Sequence, residues 1–251
     1  SGADAGMWCS YALPGDYPPD QRGEDGRSWC ADMPITAVPQ VILGFPVVTL
    51  RLASTHAHAM VAVRLCDVAP DGTSLLVSRG LLNLTHRDGH DEPRALTPHQ
   101  YETVTVTLNA AGHCLPAGHH WRVAVSPSYW PHAWPSPVAV TLSIDPAQSS
   151  LVLPVRTPQP ADATAGQFAP VELMPEVGII DVRPAQRRRY ETHDQTTQLL
   201  ELHDENDHGA FQRADGLTYD HVSADRYFIR IGDPLSARTV CEHRIAVGRG
   251  A

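Results

Sequence analysis

The stretch VAVRLCDVAPDGTSLLV, Val61 to Val77, decides the fold class. On an extended chain Val61, Val63 and Leu65 point one way while Ala62 and Arg64 point the other, the period of a strand with one face to a core and one to water. Pro70-Asp71-Gly72 then supplies turn chemistry, with a preset proline φ, a side chain able to bond its own backbone, and a glycine free to turn left-handed. The stretch reads as a hairpin joining the Val61 strand to Leu75-Leu76-Val77.

The same pattern recurs along the chain. Val104, Val106 and Leu108 alternate with Thr103, Thr105 and Thr107, and the alternation returns in Trp121-Val123-Val125 and in Val138-Val140-Leu142-Ile144. After Leu151-Val152-Leu153, a passage rich in Pro and Ala from Pro158 to Pro175 reads as a long surface crossing. Strand-like runs follow at Val177 to Val182, Arg187 to Thr192, Gln198 to Leu202, Tyr227 to Ile231 and Thr239 to Val247. Clean helical periodicity over ten residues is missing throughout. Many short strands parted by turn signals predict an all-β, mostly antiparallel β-sandwich of jelly-roll type. Before it, the Pro- and Gly-rich N-terminal part shows no period and reads as an irregular lead-in, with strands beginning after Pro39. We expect a lead-in over residues 1–45 and one sandwich over residues 46–251.

Composition narrows the function classes. A chain of 251 residues is long enough to bury a substantial core. Acidic residues exceed basic ones by 28 to 19, a formal charge of −9 without a basic stripe, which argues against nucleic acid as partner. Neither a run of some 18 apolar residues nor a secretion-signal layout is present, so no membrane partner is expected. Every basic residue is arginine, which points to a GC-rich bacterial coding sequence and removes any mechanism that needs lysine. Cys9, Cys30, Cys66, Cys114 and Cys241 are scattered and lack a C-x-x-C pair, so reduced thiols in a cytoplasmic protein are expected. In that setting the sequon Asn83-Leu84-Thr85 is an accident of a strand sequence.

Candidate chemistry is sparse. An α/β-type serine hydrolase needs a G-x-S-x-G elbow, and the nearest approach, Gly26-Arg27-Ser28, lies in the lead-in without a second glycine. His56 and His58 would share a strand face, as in a metal-holding cupin, but Ala59 to Leu65 supplies no glutamate. His86 and His90 have helical spacing in a segment that reads as a loop, and HDENDH, His203 to His208, reads as a solvated acidic turn. Arg187-Arg188-Arg189 would alternate faces on an exposed edge strand. From these residues we expect no catalytic group, no metal site and no cofactor in this chain.

The stretches LCDVAPDGTSLLVSRGLLNLTHRDGH, Leu65 to His90, and LPAGHHWRVAVSPSYWPHAWPSP, Leu115 to Pro137, resemble the C-terminal domain of the cocaine esterase and X-prolyl dipeptidyl-peptidase (CocE/NonD) hydrolase family. PGDYPPDQRGEDGRSW, Pro14 to Trp29, is similar to that family's passage into the domain, and GDPLSAR, Gly232 to Arg238, to a late strand region. The resemblance implies a jelly roll packed on an α/β-hydrolase domain of the same parent, with the Ser, Asp and His of the triad upstream of Ser1. It carries no catalytic residue onto this chain. Relatives continue past the position of Ala251 with strand-forming sequence, so a sheet cut short at its C-terminal side is expected. The parent would be a serine hydrolase acting on esters, amides or N-terminal X-Pro peptides; self-association into a homo-oligomer is left open.

One motif then has two readings. In YWPHAWPSP, Tyr129 to Pro137, the prolines Pro131, Pro135 and Pro137 fit a stiff connection between strands. Tyr129, Trp130 and Trp134 are expected to dock on the hydrolase domain or bound its cleft, leaving an exposed apolar patch on this chain. The alternative is a carbohydrate-binding module, with Trp121, Trp130 and Trp134 as platform and at least two rings exposed and coplanar.

Overall fold

The computed structural model describes residues 1–7, 15–164, 166, 169–172 and 178–249. Cys9, Pro14, Pro175 and Val177, which the sequence reading used, lie outside the described residues. Contacts divide the chain into Ser1–Thr157 with Gly232–Leu235, and Pro158–Ile231 with Ser236–Ala251.

In the first unit a single helical turn, α1 (Arg22–Asp25), precedes strands β1 (Trp29–Asp32), β2 (Gln40–Gly44), β3 (Val47–Ser54), β4 (Met60–Val68) and β5 (Ser74–Asn83). Strands β6 (Glu102–Thr107), β7 (Ala111–Leu115), β8 (His120–Ser126) and β9 (Leu142–Val152) follow. They pair as a four-stranded sheet, β1-β8-β4-β5, a three-stranded sheet, β6-β3-β9, and the pair β2-β7. All pairings are antiparallel. Val61, Val63 and Leu65 of β4 share one buried core with Leu50 and Leu52 of β3, Val104 and Val106 of β6, and Val123 and Val125 of β8. Each such side chain contributes about 1.5–3 kcal/mol of burial before ordering entropy is subtracted. The result is an antiparallel β-sandwich.

The hairpin at Pro70-Asp71-Gly72 forms as read. Gly72 adopts φ +85° and its N–H donates to Ala69 O at 2.9 Å, while Asp71 Oδ1 accepts from Thr73 N at 2.9 Å. The run from Val138 becomes a strand only at Leu142 and then continues through Val152 as β9. Within it the register slips between Thr49 and Arg51, where Ser149 Oγ accepts from Arg51 N at 3.0 Å.

Two differences from the sequence reading share one cause. Strands begin within the lead-in, at β1, and β4 is buried at every position on both faces, not on one. The second face is covered by the lead-in: Met60 and Ala62 pack with Ala5 and Tyr129, and Arg64 lies beneath α1.

The second unit holds β10 (Ile179–Arg183), β11 (Gln186–Asp194), β12 (Leu199–Arg213), β13 (Leu217–Arg230) and most of β14 (Asp233–Arg249). Their order is β10-β12-β13-β14, with β11 pairing β12 beside β10 along the same edge. HDENDH is therefore no turn; it lies inside β12. Its carboxylates hold arginines of the neighbouring strands: Asp204 pairs with Arg187 and Arg189, and Glu205 with Arg188. Arg187 and Arg189 thus share one face and Arg188 takes the other, the alternation expected of an edge strand.

Candidate functional site

The corner after β8 starts from Ser126 and is closed by the chain's first residues. Ser1 Oγ meets Ser126 Oγ at 2.6 Å and donates to Ser128 O at 2.5 Å. Gly2 N donates to a carboxylate oxygen of Glu24 at 2.8 Å, and Asp4 N to the other at 3.3 Å. Arg79 Nη1 donates to Ala5 O at 2.6 Å, and His132 Nε2 to Gly6 O at 2.9 Å. Residues 1–6 form a strap laid along the corner and pinned from both sides.

Two positions of the strap require glycine. Gly2 has φ +113° and a Cβ there would sit 2.4 Å from Trp130 O; Gly6 has φ +71° and its Cβ would come within 2.8 Å of Asp16 O. Both are left-handed conformations in contact with backbone, which L side chains cannot share without displacement.

The strap changes what the three rings offer. Tyr129 is fully buried, and burial pushes its hydroxyl pKa up; Trp130 is 9% exposed, whereas Trp134 is 65% exposed. Trp130 and Trp134 lie 4.9 Å apart, tilted by 53°, and the Trp130–Pro131 peptide is cis. The expected three-ring exposed patch is therefore a one-ring patch, since Tyr129 packs with Ala5 of the strap and Trp130 is buried as well. A sugar platform is overturned on the same facts. Trp121 is buried as well, its indole N–H donating to Gln40 Oε1 at 2.6 Å, so Trp121, Trp130 and Trp134 present no coplanar exposed pair.

Beneath α1 lies a buried ionic cluster that sequence patterning did not reveal. Arg64, 2% exposed, pairs with Asp25 at 2.9 Å and donates to Gln21 Oε1 and Ser28 Oγ, each at 3.1 Å. Arg122 bridges Asp25 at 3.1 Å and Asp32 at 2.6 and 2.8 Å, and Ser74 Oγ donates to Asp25 at 2.8 Å. The Arg122 hydrogen bond holds the Asp32 carboxyl below its usual range, and the same bond raises the guanidinium. Burial pushes the neighbouring Cys66 thiol up to about 12 and raises Cys30, so neither is primed as a nucleophile. Ser28, the nearest thing to an elbow serine, donates to Glu24 O at 2.8 Å and serves structure. The only signal for this cluster was an arginine in the middle of an apolar strand.

The histidine candidates disperse. His56 and His58 lie exposed on the bend between β3 and β4, off any strand, so they lack the shared face a cupin needs. His86 ends a short 3-10 turn, and its ring is 5.3 Å from that of His90 in the loop beyond. A pair the sequence did not suggest does form: His113 Nε2 and His119 Nδ1 donate to the two oxygens of buried Asp67 at 2.8 and 2.6 Å. Among the described residues no group of three or more His, Cys, Asp or Glu is placed to hold a metal ion.

A family profile described as the X-Pro dipeptidyl-peptidase C-terminal non-catalytic domain matches residues 25–199. Among solved structures, the chain is similar to an α-amino acid ester hydrolase labelled with selenomethionine, at 26% identity and TM-score 0.50, over 55% of this chain and 27% of that one. It is also similar to a CocE/NonD family hydrolase from Staphylococcus aureus, at 12% identity and TM-score 0.45, over 52% of this chain and 30% of that one. An aminopeptidase from a marine sediment archaeon, Thaumarchaeota archaeon, shows 20% identity and TM-score 0.44, over 49% and 22% of the two chains. The matched part spans no more than 30% of any of these three structures. A search of the curated proteins returned no match.

Proposed function

Because this chain belongs to the family of X-Pro dipeptidyl-peptidase C-terminal non-catalytic domains, we propose that it packs on the α/β-hydrolase domain of its parent and bounds that domain's substrate cleft with the Tyr129–Trp134 corner. The chain is an accessory C-terminal domain of a CocE/NonD-type hydrolase. The observation that carries the docking is Trp134, a large aromatic ring 65% exposed on the corner to which Ser1 is hydrogen-bonded. An exposed indole at the covalent junction of two domains is placed to be buried between them. On this reading the parent performs acyl transfer through a serine nucleophile and an oxyanion hole, on an ester, an amide or an X-Pro peptide. The similarity to an α-amino acid ester hydrolase favours the ester.

Trp134→Ala in the full-length parent tests the docking. The substitution is expected to lower the melting temperature of the parent by an amount matching about 1–3 kcal/mol and to reduce kcat/KM, because an aromatic anchor leaves a desolvated contact. In the 251-residue chain alone it should change stability by no more than about 0.5 kcal/mol. Equal effects in both proteins would sink the docking role. Turnover of activated esters or X-Pro amides by the chain itself, abolished by a serine-directed inhibitor, would sink the non-catalytic reading.

A further inference from the structure

We propose that the strap of residues 1–6 is the load-transmitting half of the interdomain joint, with Glu24 as its positioning residue: strap and corner form one surface, and the attached catalytic domain seats on both. This rests on the accessory-domain reading above. The occupant follows from covalent continuity, since the polypeptide of a C-terminal domain reaches its catalytic partner through the strap.

Three observations carry it. Glu24 is fully buried, and its two carboxylate oxygens accept the backbone N–H groups of Gly2 and Asp4. A carboxylate committed to backbone donors recognises the path of the chain rather than its side chains, and if the strap lifted it would lose both donors and keep the Arg27 guanidinium at 3.6 Å. Gly2 and Gly6 meet backbone so closely that the strap has one seated conformation. Ala5 completes an apolar cluster with Tyr129, Met60 and Ala62, so lifting the strap uncovers the corner from beneath. Strap and corner therefore share two states: seated, with only Trp134 presented, or lifted, with Tyr129 uncovered as well. In the seated state the junction has no slack, and the catalytic domain meets a surface of fixed shape.

Hydrogen exchange on the 251-residue chain tests the coupling in Gly2→Ala and, should that variant fold poorly, Glu24→Gln. The expected result is exchange faster by about tenfold or more in residues 1–6 and, in the same variants, in 126–134, with β4 still protected. Faster exchange confined to 1–6 overturns the coupling. The same substitutions in the full-length parent are expected to lower kcat/KM severalfold. Unchanged parent hydrolysis with the strap lifted overturns its role in the joint, and does so even where Trp134→Ala retains its effect. Hydrolysis by the chain on its own would instead remove the accessory-domain reading on which the joint depends.

Discussion

Arg64 occupies a position where strand alternation puts water, yet it is among the most buried side chains of the molecule. A guanidinium there is tolerable because Asp25 neutralises it at Nη1, Gln21 Oε1 accepts from the same nitrogen and Ser28 Oγ accepts from Nη2. Asp25→Ala is expected to destabilise the chain by about 3–5 kcal/mol, the cost of leaving one member of a buried pair alone. Urea denaturation measures it, and Asp25→Ala combined with Arg64→Met should recover part of the loss; a double variant weaker than the single one would contradict the assignment. Asp32 gives a pH signature. Its carboxyl lies below 3.8 when folded, chiefly through its hydrogen bond from Arg122, so the folded state takes up that proton less readily than the unfolded chain. The stabilisation is thus present above the unfolded value and lost as pH falls through the lower folded value. Melting of wild type and Asp32→Asn from about pH 5 to about pH 2 should show the gap between them closing with acid. A constant gap would mean that the pair does not contribute.

Elements whose side chains alternate between apolar and polar were readable from sequence, and the hairpin between β4 and β5 announced itself through Pro70-Asp71-Gly72. β12 was readable only at its start, Gln198 to Leu202, because its middle consists of charged residues and histidines whose partners lie on another strand; ion pairs across a ladder leave no period in either strand alone. Nor does patterning reveal the bulge in β12, where the register slips between Asp207 and Ala210. Gly209 there has φ +80°, and a Cβ would stand 2.5 Å from Arg183 O. Gly209→Ala is expected to cost about 1–3 kcal/mol through forced left-handed geometry and displacement of β10. Faster hydrogen exchange in 179–183 and 208–213, with β4 unchanged, is the measurement; unaltered protection of β10 would show that the strand accommodates the methyl group.

At the scale of the whole molecule, the fold class was legible because β-periodicity is a local property. The candidate site was legible in part. Proline spacing located the corner and its three rings, but the burial of Tyr129 depends on residues more than a hundred positions away, and the closure over Arg64 on Gln21 and Ser28, 43 and 36 positions away. The lead-in looked irregular because its helix is a single turn and its strands are short, yet it acts as the outer layer over β4. That layer has a consequence in time. During synthesis Gln21, Asp25 and Ser28 leave the ribosome before Arg64, so the guanidinium emerges with its partners already waiting. β8, the other neighbour of β4, arrives only some 60 residues later, and until then the growing chain holds a charge shielded from one side and open on the other.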